Sequence, residues 1–144
     1  MQTKEFLHQL DHEKIKAAIR AAELQTSGEI RVFVSRKKIE DAVAAAQSEF
    51  VRLGMAKTAE RNGVLIYVAP KSQSFAIIGD EAIHQKCGQS FWTELAGVMT
   101  GDFRQSDFTG GIVKAIERAG ELLAKHFPRR SDDRNELSDD VAHD

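Results

Sequence analysis

The apolar positions of this chain follow two different periods, and the change of period divides it into helices and strands. From Asp11 to Gln25, apolar residues recur at steps of three and four, which places them on one face of a helix. The same spacing predicts further helices over residues 39–53, 81–87, 91–101 and 108–127. Alternating or continuous apolar runs predict strands over residues 30–35, 63–69 and 74–78.

The run from Gly63 to Ala69 is the most informative of these segments. It is almost continuously apolar, which is typical of a strand that is covered on both faces. The strand and helix before it have the length of a right-handed crossover, so the first two strands should be parallel. The third strand follows a tight turn and should be antiparallel to the second. The sequence therefore predicts an α/β fold, an αβα sandwich in which helices cover both faces of a small mixed sheet.

Caps and glycines predict where several helices begin and end. Asp11 is suited to cap the first main helix, and Gly28 to follow that helix in the left-handed conformation. Gly54 is expected to end the second helix, and Gly101 to end the helix that begins near Phe91. The apolar stripe of the second helix is predicted to contain Val43, Ala46, Phe50 and Leu53.

Strand direction brings distant polar residues together at two edges of the predicted sheet. The starts of the first two strands and the end of the third share the acidic edge, which contains Glu29, Glu60, Arg61, Asn62, Asp80 and Glu81. The opposite, basic edge contains Ser35, Arg36, Lys37, Lys38, Pro70 and Lys71. The basic edge lies at the carboxyl ends of the parallel strands, where open α/β sheets commonly bind ligands. Both edges are therefore candidate sites.

Composition restricts the class of protein and its location. A chain of 144 residues with 42% hydrophobic residues can build one domain with its own core. The net charge of -2 gives no reason to expect nucleic-acid binding, and no apolar run approaches the roughly 20 residues of a membrane-spanning helix. Cys87 is the only cysteine, and the N-terminal residues lack a signal-peptide core. We expect a cytoplasmic protein without direct membrane insertion.

The end of the chain differs from the rest in charge. Residues 128–144 carry six acids and three bases, and this segment is predicted to be a flexible tail that follows a domain over residues 1–127. Leu137 and Val141 stand four residues apart in it and could lie in a groove as a short helix. Docking on the domain itself, docking on a partner and a solubilising role remain alternatives.

Three sequence blocks carry a family resemblance. They are residues 26–32 (Thr-Ser-Gly-Glu-Ile-Arg-Val), residues 62–68 (Asn-Gly-Val-Leu-Ile-Tyr-Val), and the spaced pattern of Phe103, Asp107, Phe108, Gly110, Gly111 and Ile112. In this order and spacing they resemble the signature of the TPM domain family, which is named for a thylakoid lumen protein, a photosystem II repair protein and a nematode receptor modulator. The resemblance covers about residues 10–127, is greatest to a soluble bacterial branch, and implies an αβα sandwich.

The resemblance also implies possible activities. Some family members are reported to bind divalent cations, and a plant member has been described as a weak acid phosphatase. Many members have an aspartate directly before the Asn-Gly pair, whereas this chain has Arg61 there. A guanidinium removes one oxygen ligand and repels a cation, so a Ca²⁺ or Mg²⁺ site here would rest on Asp80, Glu81 and Asp107.

The acidic residues have two interpretations. Hard cations bind converging carboxylate oxygens, which Glu29, Asp80, Glu81 and Asp107 could supply. The alternative is that the same residues cap helices and form ion pairs. We also predict a binding surface formed by Arg61, Asn62, Glu29 and Glu60, in which the guanidinium pairs with a carboxylate or grips a phosphate. Asp107 is the one candidate catalytic residue.

Other reactive side chains are expected to have structural roles. Cys87 lacks the arginine spacing of a cysteine phosphatase and is predicted to be a packed thiol. His8 and His12 stand four apart, and His84 follows the acidic edge, but a metal or proton-transfer role is the weaker interpretation for each. Trp92 is expected in the core, and the run Arg36-Lys37-Lys38 in a solvated loop.

These observations favour a non-enzymatic interaction or assembly module of the TPM type, modulated by Ca²⁺ or Mg²⁺ if a cation site is present. Its partner is expected to be a protein, and the family resemblance suggests a membrane-linked assembly. The alternative is a weak metal-dependent acid phosphatase acting on phosphomonoesters. The two differ in their needs, because such an enzyme requires converging carboxylates around an open metal position, whereas a binding module requires only an exposed groove.

Overall fold

A computed structural model describes residues 1–58, 60–129 and 139–144 of the chain. Its strands are β1 (Glu29–Val34), β2 (Gly63–Ala69), β3 (Ser74–Gly79) and β4 (Ala142–His143). Its helices are α1 (Thr3–Gln9), α2 (His12–Glu23), α3 (Ala42–Arg52), α4 (Glu81–Cys87), α5 (Gln89–Arg104) and α6 (Phe108–His126). Two short 3-10 turns, Met55–Lys57 and Pro70–Ser72, lead into β2 and β3.

The strands form one mixed sheet in the order β3-β2-β1-β4. Strand β1 is parallel to β2, with Glu29 opposite Gly63, and β2 is antiparallel to β3, with Val64 opposite Gly79. This confirms the predicted strand directions. It also confirms that the two edges are distinct, since Glu29, Gly63 and Gly79 lie together at one of them.

Two hydrophobic clusters explain why the sheet is covered on both faces. Ile30, Val32, Ile66 and other side chains of one face pack against α1, α2, α5 and α6, and Phe33, Leu65 and Tyr67 of the other face join a smaller cluster with α3. Every residue of β2 is buried, as its continuous apolar sequence predicts. The αβα sandwich is therefore confirmed.

The helix ends lie where the sequence predicts them when a nearby capping residue determines the end. The Asp11 carboxylate accepts the N–H of Lys14 at 3.1 Å and caps α2, and Gly54 follows α3 with a φ of 76°. The prediction for Gly28 is wrong, because its φ is not positive. The chain turns there instead because the Thr26 hydroxyl accepts the Gly28 N–H at 3.0 Å and donates to the carbonyl of Phe127.

Three further helix predictions also need correction. Helix α3 begins at Ala42 rather than residue 39, because Asp41 caps it by accepting the N–H of Ala44 at 3.1 Å. Val43 is 52% exposed and does not join the core stripe. Helix α5 continues through Gly101 to Arg104, since its packing against α6 outweighs the modest helix penalty of one glycine.

The last six residues pack onto the domain, where Asp139 and Asp140 pair with side chains of α2 and the final residues reach the sheet. Strand β4 pairs in parallel with the end of β1, with Ala142 opposite Phe33. The Asp144 carboxylate accepts hydrogen bonds from the Ser35 hydroxyl at 2.7 Å and the Arg36 N–H at 2.8 Å. The prediction for Leu137 falls outside the described residues. The domain boundary at residue 127 remains a prediction, but residues 139–144 are part of the folded structure.

Candidate functional site

The acidic edge is assembled by the topology of the sheet. Glu29 begins β1, residues 60–62 precede β2, and Asp80 follows β3. The backbone N–H of Asp80 donates to the carbonyl of Gly63 at 2.9 Å, which fixes the end of β3 beside the start of β2. The structure therefore brings together the binding residues that the sequence predicts at this edge, together with Asp80 and Glu81.

Arg61 occupies the centre of this edge and is bound to it at both backbone and side chain. Its Nε lies 3.3 Å from Oδ2 of Asp80, and its carbonyl accepts the N–H of Ala82 at 3.3 Å. Its φ of 54° is left-handed, a conformation that residues other than Gly, Asn and Asp rarely adopt. The Asp80 side chain is only 6% exposed and also caps α4 through the N–H of Glu81 at 2.7 Å. The Arg61 guanidinium thus already neutralises the carboxylate that a cation would need.

Glu60 and Asn62 are engaged next to Arg61. The Glu60 carboxylate accepts a hydrogen bond from the Ser27 hydroxyl, and the Asn62 side-chain amide donates to both Glu60 and Ser27 at 3.2 Å. Asn62 is almost fully buried. These contacts join the loop before β1 to the loop before β2, so their immediate effect is to hold the edge together.

A second group of carboxyls lies beneath the same edge. Glu23, at the end of α2, and Glu29 are both buried. The Glu23 carboxylate accepts the N–H of Ile30 at 3.4 Å, and burial together with hydrogen bonds to Glu29 and Asp139 raises the pKa of Glu23 to about 10. Asp139 in turn pairs with Arg20 at 3.2 Å. Burial and the neighbouring carboxyls therefore favour the protonated form of Glu23, and Asp139 of the C-terminal segment completes the group.

Asp107 does not lie at the acidic edge. It precedes α6 and caps that helix by accepting the N–H of Gly110 at 2.9 Å. The other end of α6 reaches the acidic edge, where the Phe127 carbonyl accepts the N–H of Ser27 at 2.9 Å. The length of α6 therefore separates Asp107 from Asp80 and Glu81. Across residues 1–58, 60–129 and 139–144, no three His, Cys, Asp or Glu side chains are grouped as metal ligands.

The remaining reactive side chains mainly pack or form local hydrogen bonds. The Trp92 indole N–H donates to Nδ1 of His84 at 3.2 Å, and the two rings lie 5.1 Å apart. Cys87 is half-buried against the core, and burial raises the pKa of its thiol, which makes it a poorer nucleophile. His12 Nε2 lies 2.9 Å from the Leu7 carbonyl, so this histidine already has a local partner.

The basic edge contains a pocket that the sequence analysis did not find. It has a volume of about 660 Å³ and lies where β2 ends and β3 begins, between these strands, α1 and the turn from α5 to α6. We call it the aromatic pocket; it is lined by Met1, Phe6, Val68, Ala69, Pro70, Gln73, Ser74, Phe75, Thr100, Phe103, Arg104, Ser106 and Phe108.

Four phenylalanines build the apolar wall of the aromatic pocket. The Phe103 ring lies 5.7 Å from Phe75 and 5.3 Å from Phe108 in edge-to-face contacts, and the Phe6 ring lies 4.9 Å from Phe108. Such ring pairs are rigid and stabilising beyond their buried area. The four rings lie on α1, β3, α5 and α6, so their contact could not be predicted from the sequence as a whole. Only Phe103 and Phe108 stand close together in the sequence, within one of the three blocks described above.

The fold and site define an αβα sandwich with a self-paired acidic edge and an open apolar pocket at the opposite edge. The TPM domain family model matches residues 1–122, so the chain belongs to this family. It is similar to the BA42 protein from the psychrophilic bacterium Bizionia argentinensis, whose structure was determined by NMR. That similarity has 39% identity and a TM-score of 0.86 over 94% of this chain and 96% of the other. No curated protein matches the chain.

Proposed function

We propose that this chain is a non-enzymatic interaction and assembly module of the TPM type, and that it binds a protein partner through the aromatic pocket. The pocket carries the proposal because it is concave, mainly apolar and within the range of about 300–1,000 Å³ typical of binding sites. Its position beside the carboxyl end of β2 is also at the sheet edge where open α/β sheets usually bind ligands.

The acidic edge supports this proposal because its polar side chains are already bonded within the protein, whereas the pocket is open. Asp80 is paired with Arg61, Glu60 is hydrogen-bonded by Ser27 and Asn62, and Glu23 is bonded to Glu29. These contacts stabilise the junction of β1, β2 and α4. A binding function at the basic edge leaves them intact.

Modulation by Ca²⁺ or Mg²⁺ is a further part of the proposal. A cation would act at Asp80 and Glu81, where it would have to compete with Arg61 for the Asp80 carboxylate. Millimolar Ca²⁺ or Mg²⁺ is expected to shift the backbone amide signals of residues 80 and 81 in NMR spectra. Amide signals that stay in place at both residues would contradict modulation at the acidic edge. Shifts near Asp107 alone would instead place the cation at the start of α6.

The alternative, a weak metal-dependent acid phosphatase, has less support. Asp107 caps α6 and lies far from Asp80 and Glu81, so the proposed carboxylates do not converge on one metal position. The decisive assay is phosphomonoester turnover with added Mg²⁺ or Ca²⁺. Turnover that is present in the natural chain and lost in Asp107→Asn would overturn the non-enzymatic proposal.

Partner binding is tested by filling the pocket. Thr100 lines the pocket on α5, whereas Thr93 is exposed on the same helix two turns earlier and does not line it. The natural chain and both variants are cross-linked to proteins in host extract. The Thr100→Trp variant should no longer capture a protein that binds the pocket, whereas the Thr93→Trp variant should still capture it. Circular dichroism checks that both variants fold.

The comparison between the two tryptophan variants decides the result. Capture of a given protein by Thr93→Trp but not by Thr100→Trp supports the pocket as its docking site. Equal capture by both folded variants contradicts the proposal, whatever the captured protein is.

A further inference from the structure

The polar side chains around the aromatic pocket differ in charge from those of the rest of the protein. The chain as a whole carries a net charge of -2, with 22 acids and 20 Lys and Arg residues. Of the described residues that line the pocket, none is acidic, and Arg104 is the one with an ionisable side chain. The remaining polar lining consists of Gln73, Ser74, Thr100 and Ser106.

The Arg104 guanidinium is available to a ligand. Arg104 is exposed in the last turn of α5, and within the described residues its side chain forms no hydrogen bond or ion pair. The nearest acids in sequence are engaged elsewhere, because Asp102 pairs with Lys114 at 3.0 Å and Asp107 caps α6. A ligand carboxylate at the pocket would therefore meet one arginine without a competing carboxylate in the lining.

An arginine beside an apolar wall selects a particular ligand chemistry. Arginine binds a carboxylate through two parallel N–H donors. The phenylalanine wall accepts an apolar or aromatic side chain next to that carboxylate. These two groups occur together at the C-terminal residue of a protein chain, and C-terminal carboxylates are a recurring recognition element.

We propose that the aromatic pocket binds the C-terminus of a partner protein that ends in an apolar residue, with Arg104 holding its carboxylate. This inference rests on the proposed binding function and specifies its ligand. The pocket volume of about 660 Å³ accommodates more than one side chain, so the last two or three residues of the partner contribute. Phe75, Phe103 and Phe108 contact their apolar side chains.

The test uses two peptides that differ only in charge. N-acetyl-Ala-Leu-Phe with a free carboxylate is compared with the same tripeptide as its C-terminal amide, and binding is followed by NMR titration of the pocket amides. The peptide acid is expected to bind about tenfold more tightly than the amide, which corresponds to a difference in binding free energy of about 1.4 kcal/mol. The difference should shrink as salt is raised, because the arginine is exposed.

Variants assign the effect to Arg104 and to the pocket. Arg104→Gln should bring the acid down to the affinity of the amide, and Arg104→Lys should retain part of the difference because it keeps the charge. Thr100→Trp should abolish binding of both peptides. Ser74→Trp, at the start of β3 in the same lining, serves as a second pocket-filling variant if Thr100→Trp fails to fold.

The outcomes separate this inference from the proposed function. Equal affinities for acid and amide, both lost when the pocket is filled, would overturn the role of the carboxylate and leave pocket binding intact. 4-Phenylbutyrate binding as tightly as the tripeptide would point to a small acid and overturn the C-terminal ligand. If neither peptide binds, the proposal of a C-terminal ligand is also overturned. The proposed binding function is then still tested by the capture experiment with Thr93→Trp and Thr100→Trp.

Discussion

The two edges of the sheet use their side chains in opposite ways. At the acidic edge, Arg61, Asp80, Glu60 and Asn62 are bonded to one another or to neighbouring loops. At the basic edge, four phenylalanines and Arg104 line a pocket of about 660 Å³ that no described segment of the chain fills. The first edge joins secondary-structure elements, and the second leaves a surface for another molecule.

Clustered charge is therefore a weak guide to a binding site in this protein. Charged residues at strand ends are conspicuous in the sequence, but here their partners are other residues of the same edge. An apolar pocket is inconspicuous, since its side chains resemble core residues until the fold shows that they enclose space. The comparison predicts that substitutions at the acidic edge change stability, whereas substitutions in the pocket change binding.

The largest stability effect is expected at Gly79, where β3 meets the acidic edge. A Cβ at this position would overlap the Trp92 indole, which is itself packed in the core. Gly79→Ala should lower the free energy of unfolding by about 2–3 kcal/mol, since the ring has to move within a packed cluster. Urea denaturation measures the change.

Gly97 supplies the matched control for this prediction. It is exposed within α5, and a Cβ there would meet no atom within 4 Å. Gly97→Ala should therefore raise the free energy of unfolding by about 0.5–1 kcal/mol through helix propensity. If both variants have the same stability as the natural chain, the close packing of β3 on Trp92 is not a constraint.

A smaller, pH-dependent effect is expected at Glu23. Its pKa is raised to about 10 by burial and by hydrogen bonds to Glu29 and Asp139, so the folded state holds a proton that the unfolded state releases. This contribution to stability is complete below the unfolded pKa of about 4.5 and is lost as pH rises toward 10. Glu23→Gln keeps a neutral hydrogen-bonding group and should raise the free energy of unfolding by about 1–2 kcal/mol at pH 8.

Denaturation at pH 4 and pH 8 checks the sign of this effect. At pH 4 the variant and the natural chain should have similar stability, and the difference should grow as pH rises. Exposed Glu117 on α6 provides the control, because Glu117→Gln should show no such trend. A variant that is less stable than the natural chain at pH 8 would contradict a protonated Glu23.

The smallest of the predicted effects concerns ion binding, and it is expected at Arg61. Arg61→Asp replaces a cation by an oxygen ligand beside Asp80, and Asp tolerates the left-handed φ of 54° better than Arg. Calcium affinity measured by calorimetry should rise at least about tenfold, toward the millimolar range of weak calcium sites or tighter. Arg61→Asn removes the same ion pair without adding charge and should gain much less. Equal affinities in all three chains would mean that any bound cation lies elsewhere.

Several features of the fold could be predicted because they depend on neighbours in sequence. The fully apolar run of β2 required cover on both faces, and the Asp11 cap required only a side chain and an N–H three residues away. The end of α2 could not be predicted in this way. Gly28 suggested a left-handed turn, but the Thr26 hydroxyl and the distant Phe127 carbonyl decide that turn.

The candidate site shows the same division. Strand direction alone placed Glu29, Arg61 and Asp80 at one edge, and the structure agrees. Asp107 could not be placed from the sequence, because its position depends on which way α6 runs across the sheet. The return of β4 to pair with β1 was also unpredicted, since a two-residue strand has no periodic pattern of its own.

Hydrophobic period and connection length act locally, so the sequence was enough to predict the αβα order, the directions of the first three strands and the residues of the acidic edge. Only the folded chain shows that the side chains of the acidic edge bond to neighbours within that edge. It also shows that residues 142 and 143 pair with β1, and that Phe6, Phe75, Phe103 and Phe108 enclose a pocket beside Arg104. These outcomes depend on contacts between segments up to about a hundred residues apart, whose distances are set by packing of the whole domain.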